Sequence, residues 1–203
     1  MLVTNKGNLP IDDYLKFIAI CASAGITSVQ LREKKLSRAA LLDFGGKLKA
    51  ILKPFKIPLI INDNVEVAYQ LDAEGVHLGQ SDGSALEARQ KLGKDKIIGL
   101  SISTKEQLQA ANTLPIDYVG IGAIFPTRNK ANISTIWGCE GLKKIAPLSV
   151  RPVIAIGGIN ETNILEVIRA GAHGIAAIGA FHDTQEPENT IRNLSNNIEG
   201  IKI

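Results

Sequence analysis

Eight short apolar runs, each leading into a polar turn or a helix-forming stretch, leave this chain very few ways to fold. They are LVT at 2–4, ITSVQLR at 26–32, IPLII at 57–61, GVHL at 75–78, KIIGLS at 96–101, DYVGIG at 117–122, PVIAIG at 152–157 and GIAAIG at 174–179. None alternates cleanly between apolar and polar residues, so they read as strands buried on both faces, as in a parallel sheet covered by helices. The segments between them carry helical spacing. Residues 11–25 place Tyr14, Phe17, Ile18 and Cys21 on one face and stop at Gly25. Residues 36–52 do the same with Leu36, Leu41, Phe44 and Leu48 behind a candidate N-cap, Ser37. STKEQLQAANTL opens with Ser103 or Thr104 three positions before Glu106 or Gln107, the spacing of a capping box. Shorter helical stretches follow Asn62-Asp63 and Asn160. Strand–helix alternation repeated eight times predicts an α/β fold, a (β/α)8 TIM barrel occupying residues 1–203 as one domain. The alternative, an open doubly wound sheet, would use about five to seven strands and a glycine-rich first turn, for which TNKGN is a poor candidate.

Composition narrows the partners. Lys and Arg number 23 and Asp and Glu 20, a net charge of +3 spread along the chain. No basic run is interleaved with aromatics, so nucleic acid is not an expected partner, while an anionic small molecule suits the mild positive balance. Cys21 and Cys139 have no metal-type spacing, and no run approaches the length of a membrane span or resembles a leader peptide. The expectation is a cytoplasmic protein in a reducing compartment, without membrane contact. A homodimer is compatible with the sequence, which does not fix the oligomeric state.

In a barrel of this kind the active site lies at the C-terminal ends of the strands. The second run ends QLREK, with Gln30, Arg32 and Lys34 at alternate positions and hence on one side of an extended strand. They read equally as an anion site and as a solvated charged loop paired to Glu33. The third ends in Asn62-Asp63, and the loop after the fourth carries Gln80 and Asp82. Two carboxylates from adjacent strand ends could share a hard cation such as Mg2+. The competing reading makes them helix N-caps, Asp63 or Asn64 before VEVAYQL and Asp82 before SALEARQ. The fifth run ends at Ser101. The sixth leads into a loop, reaching roughly residue 137, that holds Pro126, Thr127, Asn129 and Lys130; loops this long often carry function. Gly157-Gly158 would let the backbone approach a ligand with its amides facing it, and Gly179 closes the eighth run, where this fold often binds phosphate. His77 reads as a packing or supporting residue rather than a general base, and Trp137 and Cys139 as packing residues. The pattern asks for two anionic groups, one near Arg32, Lys34, Lys130 and a carboxylate-held metal, the other near Gly157, Gly158 and Gly179. That suits a transferase joining a diphosphate-bearing substrate to a phosphorylated one.

VQLREK, LIINDN, GVHLGQSD, IIGLS, DYVGIGAIFPTRNK, IAIGGI and AAIGA, in this order over nearly the whole chain, resemble the thiamine phosphate synthase family. The resemblance implies a (β/α)8 barrel that uses Mg2+ and joins hydroxymethylpyrimidine diphosphate to hydroxyethylthiazole phosphate, releasing diphosphate by a dissociative route. It further implies that Asp63 and Asp82 hold Mg2+ and that Arg32, Lys34, Asn62 and Lys130 grip the diphosphate. Gln30 and Ser101 would face the pyrimidine and its leaving group. Thr127, Asn129, Gly158, Ile178 and Gly179 would line the thiazole phosphate pocket. Catalysis itself would rest on Arg32, Lys34, Ser101 and Lys130. Two positions depart from the family pattern: Asn129 stands where a second Thr is usual in PTxTK, and Gly179 where Ser often ends the last strand. The related thiazole tautomerases carry a His two positions after the fifth-strand Ser, where this chain has Ser103. Two further alternatives are a barrel aldolase using Lys34 or Lys130 as a Schiff base, and a non-catalytic ligand-binding protein.

Overall fold

The computed structural model describes residues 1–129 and 135–200. Its eight strands are β1 (Leu2–Val3), β2 (Val29–Leu31), β3 (Leu59–Asn62), β4 (Gly75–Leu78), β5 (Ile97–Ile102), β6 (Tyr118–Ile121), β7 (Val153–Ile156) and β8 (Gly174–Ala176). Each strand pairs in parallel with the next, so the order in the sheet is the order in the chain. The first and last strands meet through a parallel bridge between Leu2 and Ala177. The Val3 amide donates to the Ala177 carbonyl at 3.0 Å, and the Ala177 amide to the Met1 carbonyl at 3.2 Å. The strands therefore curl into a nearly closed barrel.

Helices alternate with the strands: α1 (Ile11–Ser23), α2 (Arg38–Leu52), α3 (Val65–Gln70), α4 (Ala85–Leu92), α5 (Lys105–Ala111), α6 (Gly138–Ile145), α7 (Ile164–Arg169), α8 (Gly179–His182) and α9 (Pro187–Glu199). Their starts follow local chemistry. The Ser37 hydroxyl accepts from the Ala40 amide at 3.3 Å, and Thr104 and Gln107 form the expected capping box on α5. Of the two candidates for the α3 cap, Asn64 takes the role, accepting from the Val67 amide at 2.9 Å. Asp82 does not cap α4: Ser84 does, and the Asp82 carboxylate instead accepts from the Gly79 amide at 2.8 Å.

The period of two along each strand sorts side chains into two cores. Outward-facing residues such as Leu2, Val29, Leu31, Leu59, Ile61 and Val76 are buried against Tyr14, Ile18, Phe44 and Leu48 of the helices. Each such aliphatic side chain contributes roughly 1.5–3 kcal/mol on burial, so this outer layer is the main source of stability. The barrel interior differs. Among the described residues its apolar cluster holds Val3, Ala176 and Ile178, with Met1, Ile154 and Ile156 packed around them. On the other side of the barrel, Gln30, Asn62, His77, Ser101 and Tyr118 occupy positions of the inward phase, separated by glycines. The register aligns Asn62 with His77, His77 with Gly99 and Gly99 with Tyr118. Half of the interior is thus polar. Among the described residues no helix is long and apolar enough to cross a membrane.

Candidate active site

Asp63 occupies the first position after β3 with φ of +63°, a left-handed conformation that Asp and Asn accept more readily than other side chains. Its amide donates to the His77 carbonyl at 2.8 Å, so this strained residue is tied to the end of β4. The tie sets the Asp63 carboxylate beside that of Asp82. Partial burial and the Asp82 carboxylate push the Asp63 carboxyl up to about 6 from its ordinary 3.8, and Lys34 pulls in the other direction. Lys34 lies 3.9 Å from the Asp63 carboxylate. The apolar run of β3 therefore ends in polar groups that meet a second acid and a cation at the mouth. Among the described residues Glu33 pairs with neither Lys34 nor Arg32; it accepts from the Lys6 amide at 2.8 Å.

Arg32 crosses the mouth. Its amide is anchored by the buried Thr4 hydroxyl at 2.8 Å, and its guanidinium donates to the Asn129 carbonyl at 3.4 Å in the loop after β6. The second and sixth strands face each other across an eight-stranded barrel, so one side chain bridges the two halves of the site. In that loop Thr127 accepts from the Asn129 amide at 3.3 Å. Lys130 lies outside the described residues.

Gly157 and Gly158 serve a purpose beyond the one read from sequence. Both have positive φ, +104° and +66°. A Cβ at Gly157 would lie 2.8 Å from Ala123 Cβ, and one at Gly158 would lie 2.7 Å from both Phe125 Cβ and the Pro126 carbonyl oxygen. The pair lets the β6 loop settle directly onto the end of β7, with the Phe125 amide donating to the Gly157 carbonyl at 2.9 Å. Beside them, Ile178 and Gly179 open α8. The Asn129 side-chain nitrogen, Nδ2, sits 3.7 Å from where a Cβ of residue 179 would be, so the two departures from the family pattern are neighbours in space. This corner is braced from behind. His182 donates through Nδ1 to the Ile178 carbonyl at 2.8 Å, and its Nε2 meets the Tyr14 hydroxyl at 2.7 Å, with burial lowering the His182 pKa.

Within the mouth, Ser101 Oγ is 2.8 Å from His77 Nε2, and His77 Nδ1 is 2.8 Å from the Tyr118 hydroxyl. Gln80 donates to the Ser101 carbonyl at 2.6 Å. Gln30, only 5% exposed, acts on the Tyr118 hydroxyl from β2, holding its pKa down against the effect of burial. The sequence reading missed Thr4, Tyr118 and the brace formed by Tyr14 and His182. Tyr118 had one signal, a bulky aromatic whose register partner is a glycine, but register is not visible in a single sequence.

The geometry therefore gathers Gln30, Arg32, Lys34, Asn62, Asp63, Asp82 and Ser101 on one side, and Thr127, Asn129, Gly158, Ile178 and Gly179 on the other. Its class is that of a phosphate-handling (β/α)8 barrel, with a carboxylate pair and cations at one edge and a glycine-built corner at the other. Comparison with known proteins narrows the class. Residues 1–181 match the family model for thiamine monophosphate synthase, and this chain belongs to that family. It is 53% identical to the thiamine-phosphate synthase of Chlamydia abortus over 96% of this chain and 92% of that one. It is 48% identical to that of Vibrio campbellii over 81% and 80% of the two chains. Its backbone superposes on the thiamine phosphate pyrophosphorylase of Pyrococcus furiosus with a TM-score of 0.88 at 30% identity, covering 98% and 94% of the chains.

Proposed function

We propose that this chain is a thiamine-phosphate synthase. It joins hydroxymethylpyrimidine diphosphate to hydroxyethylthiazole phosphate, forming thiamine phosphate and diphosphate. The observation that supports the reading is the reach of Arg32 from the end of β2 across the barrel to the Asn129 carbonyl, which joins the two groups of candidate residues. Family membership and coverage of the relatives support it.

Asp63 and Asp82 fit Mg2+. Two carboxylates held side by side, one of them pushed toward neutrality by the other, are relieved by a shared divalent cation. Among the described residues no third His, Cys, Asp or Glu joins them. That donor set suits a metal completing its shell with water and phosphate oxygens. When bound, Mg2+ would neutralise charge on the diphosphate. Arg32, Lys34, Asn62 and Lys130 would grip the same group and stabilise negative charge as the carbon–oxygen bond breaks. Ser101 and Gln30 would orient the pyrimidine. Thr127, Asn129, Gly158, Ile178 and Gly179 would hold the thiazole phosphate so that the ring nitrogen faces the methylene carbon it attacks. The electron-rich aminopyrimidine spreads the positive charge left on that carbon, so a dissociative route needs little general-base help.

A coupled assay for diphosphate release tests this directly. Release should require both substrates together with Mg2+ and yield thiamine phosphate one for one. No release under those conditions, or a borohydride-trapped adduct at Lys34 or Lys130 with an aldehyde, would replace this reading with another barrel chemistry.

A further inference from the structure

A line of polar side chains runs through the barrel interior and reaches the site at Ser101. Its members come from four strands: Gln30 on β2, Tyr118 on β6, His77 on β4 and Ser101 on β5. Tyr118 is 7% and His77 9% exposed. The space for both rings is made by missing side chains. A Cβ at Gly99 would stand 2.1 Å from Tyr118 Cζ and 2.5 Å from His77 Nδ1, and one at Gly120 would stand 3.0 Å from His77 Cε1.

The chemistry of the end groups gives the line a direction. The Gln30 amide nitrogen lies 3.7 Å from Met1 Sδ, and thioether sulfur only accepts, so the NH2 end of the amide is turned this way. The Gln30 side chain also holds the Tyr118 pKa down, the effect of a group that presents hydrogen to the phenol oxygen. The phenol, kept protonated by burial, then directs its own hydrogen to His77 Nδ1. An imidazole that accepts at Nδ1 carries its hydrogen at Nε2 and donates it to Ser101 Oγ. The Ser101 hydrogen is left to point away from His77, into the mouth.

We propose that Tyr118 and His77 are positioning residues that fix the Ser101 hydroxyl as an outward-pointing hydrogen-bond donor, selecting a substrate with an acceptor atom at that place. Resting on the reading above, the acceptor belongs to the pyrimidine diphosphate and not to the thiazole phosphate. A freely rotating serine would turn its hydrogen to either side; this one, with a lone pair engaged by His77, turns it toward the mouth.

The test has two arms. In 15N-labelled protein at neutral pH, two-bond correlation spectra should show His77 protonated at Nε2 and bare at Nδ1. Protonation at Nδ1 overturns the proposal whether or not the chain makes thiamine phosphate, while an inactive wild type with the expected tautomer overturns only the functional reading. In the kinetic arm, Tyr118→Phe should lower kcat/KM for the pyrimidine diphosphate about tenfold, the effect of one lost buried hydrogen bond, and leave the thiazole phosphate KM unchanged. In a Ser101→Ala background the same change should cost nothing further, because its effect passes through Ser101. Independent, multiplying losses would mean that Tyr118 acts only on the fold. His77→Gln, whose amide can present a donor in place of Nε2–H, should retain more activity than His77→Leu. Equal losses in the two would also overturn the proposal, and this pair decides should Tyr118→Phe fail to fold.

Discussion

Replacing Asp63 with Asn should make the metal-free protein more stable and the enzyme inactive. Asn tolerates the φ of +63° as Asp does, so the backbone is not penalised. What changes is the charge. The Asp63 carboxyl is raised from 3.8 to about 6 in the folded chain. Between those values the folded state binds more protons than the unfolded one, so stability falls as pH rises through this window and the full penalty applies above about 6. A shift of this size corresponds to about 3 kcal/mol. The side chain is 34% exposed, however, and screening by solvent leaves roughly 1–1.5 kcal/mol. The lost contact with Lys34, at 3.9 Å and near solvent, subtracts little. For a chain of this size the gain is about 3–5 °C in Tm. Thermal unfolding in EDTA should therefore show Asp63→Asn above wild type by that margin at pH 8 and by much less at pH 4.5. Added Mg2+ should raise the wild-type Tm at pH 8 and do little for the variant. A variant no more stable than wild type at pH 8, or a difference that does not vary with pH, would refute the argument that the two carboxylates repel in the absence of a cation.

Lys130→Ala should lower kcat by roughly 10²-fold, given about 3 kcal/mol of transition-state stabilisation; a change confined to KM for the pyrimidine diphosphate would make it a uniform binder. Gly158→Ala should destabilise the fold by about 2 kcal/mol or more in urea unfolding, because the new Cβ combines a φ of +66° with contacts of 2.7 Å to Phe125 and Pro126. Gly179→Ser should be tolerated, since this residue is not among those at positive φ and the one close approach to its Cβ is the movable Asp183 carboxylate at 2.8 Å. Combined with Asn129→Thr, it should tighten the thiazole phosphate KM up to about tenfold without moving that of the pyrimidine diphosphate, and steady-state kinetics with each substrate varied in turn would show the opposite if the two anion sites are interchanged.

The strands were legible because each carries its own burial pattern: β3 and β5 stand out as apolar runs before polar ends. The helices were legible where capping residues precede an apolar face, as at Ser37 and Thr104. Helices α6 and α9 escaped the reading. Gly138 and Gly141 weaken the first, and the second is rich in Asn and Thr, so tertiary packing of Leu142, Ile191 and Leu194 decides them rather than local preference. Candidate site residues on strand ends could be proposed from topology alone, since a barrel places every strand end in one mouth. Asp82 shows the limit. Its position allowed two readings, a cap and a partner for Asp63, and only the fold decides between them: Ser84 caps the helix while Asp82 faces Asp63. The line from Gln30 to Ser101 was illegible for the same reason: its members lie far apart in sequence, and nothing local to any of them announces the others.

A barrel that fills part of its interior with a phenol, an imidazole and the glycines that admit them has little freedom to evolve there. Larger residues at Gly99 or Gly120 would evict the rings rather than fill a void. Selection for heat resistance in this lineage is therefore expected to act on the helical shell, through caps and surface charge, while the channel of small and polar residues inside stays nearly fixed. The same restriction bears on engineering: libraries aimed at stability belong on α1, α2 and α9, and those aimed at new substrates belong on the loops around Asn129 and Gly179.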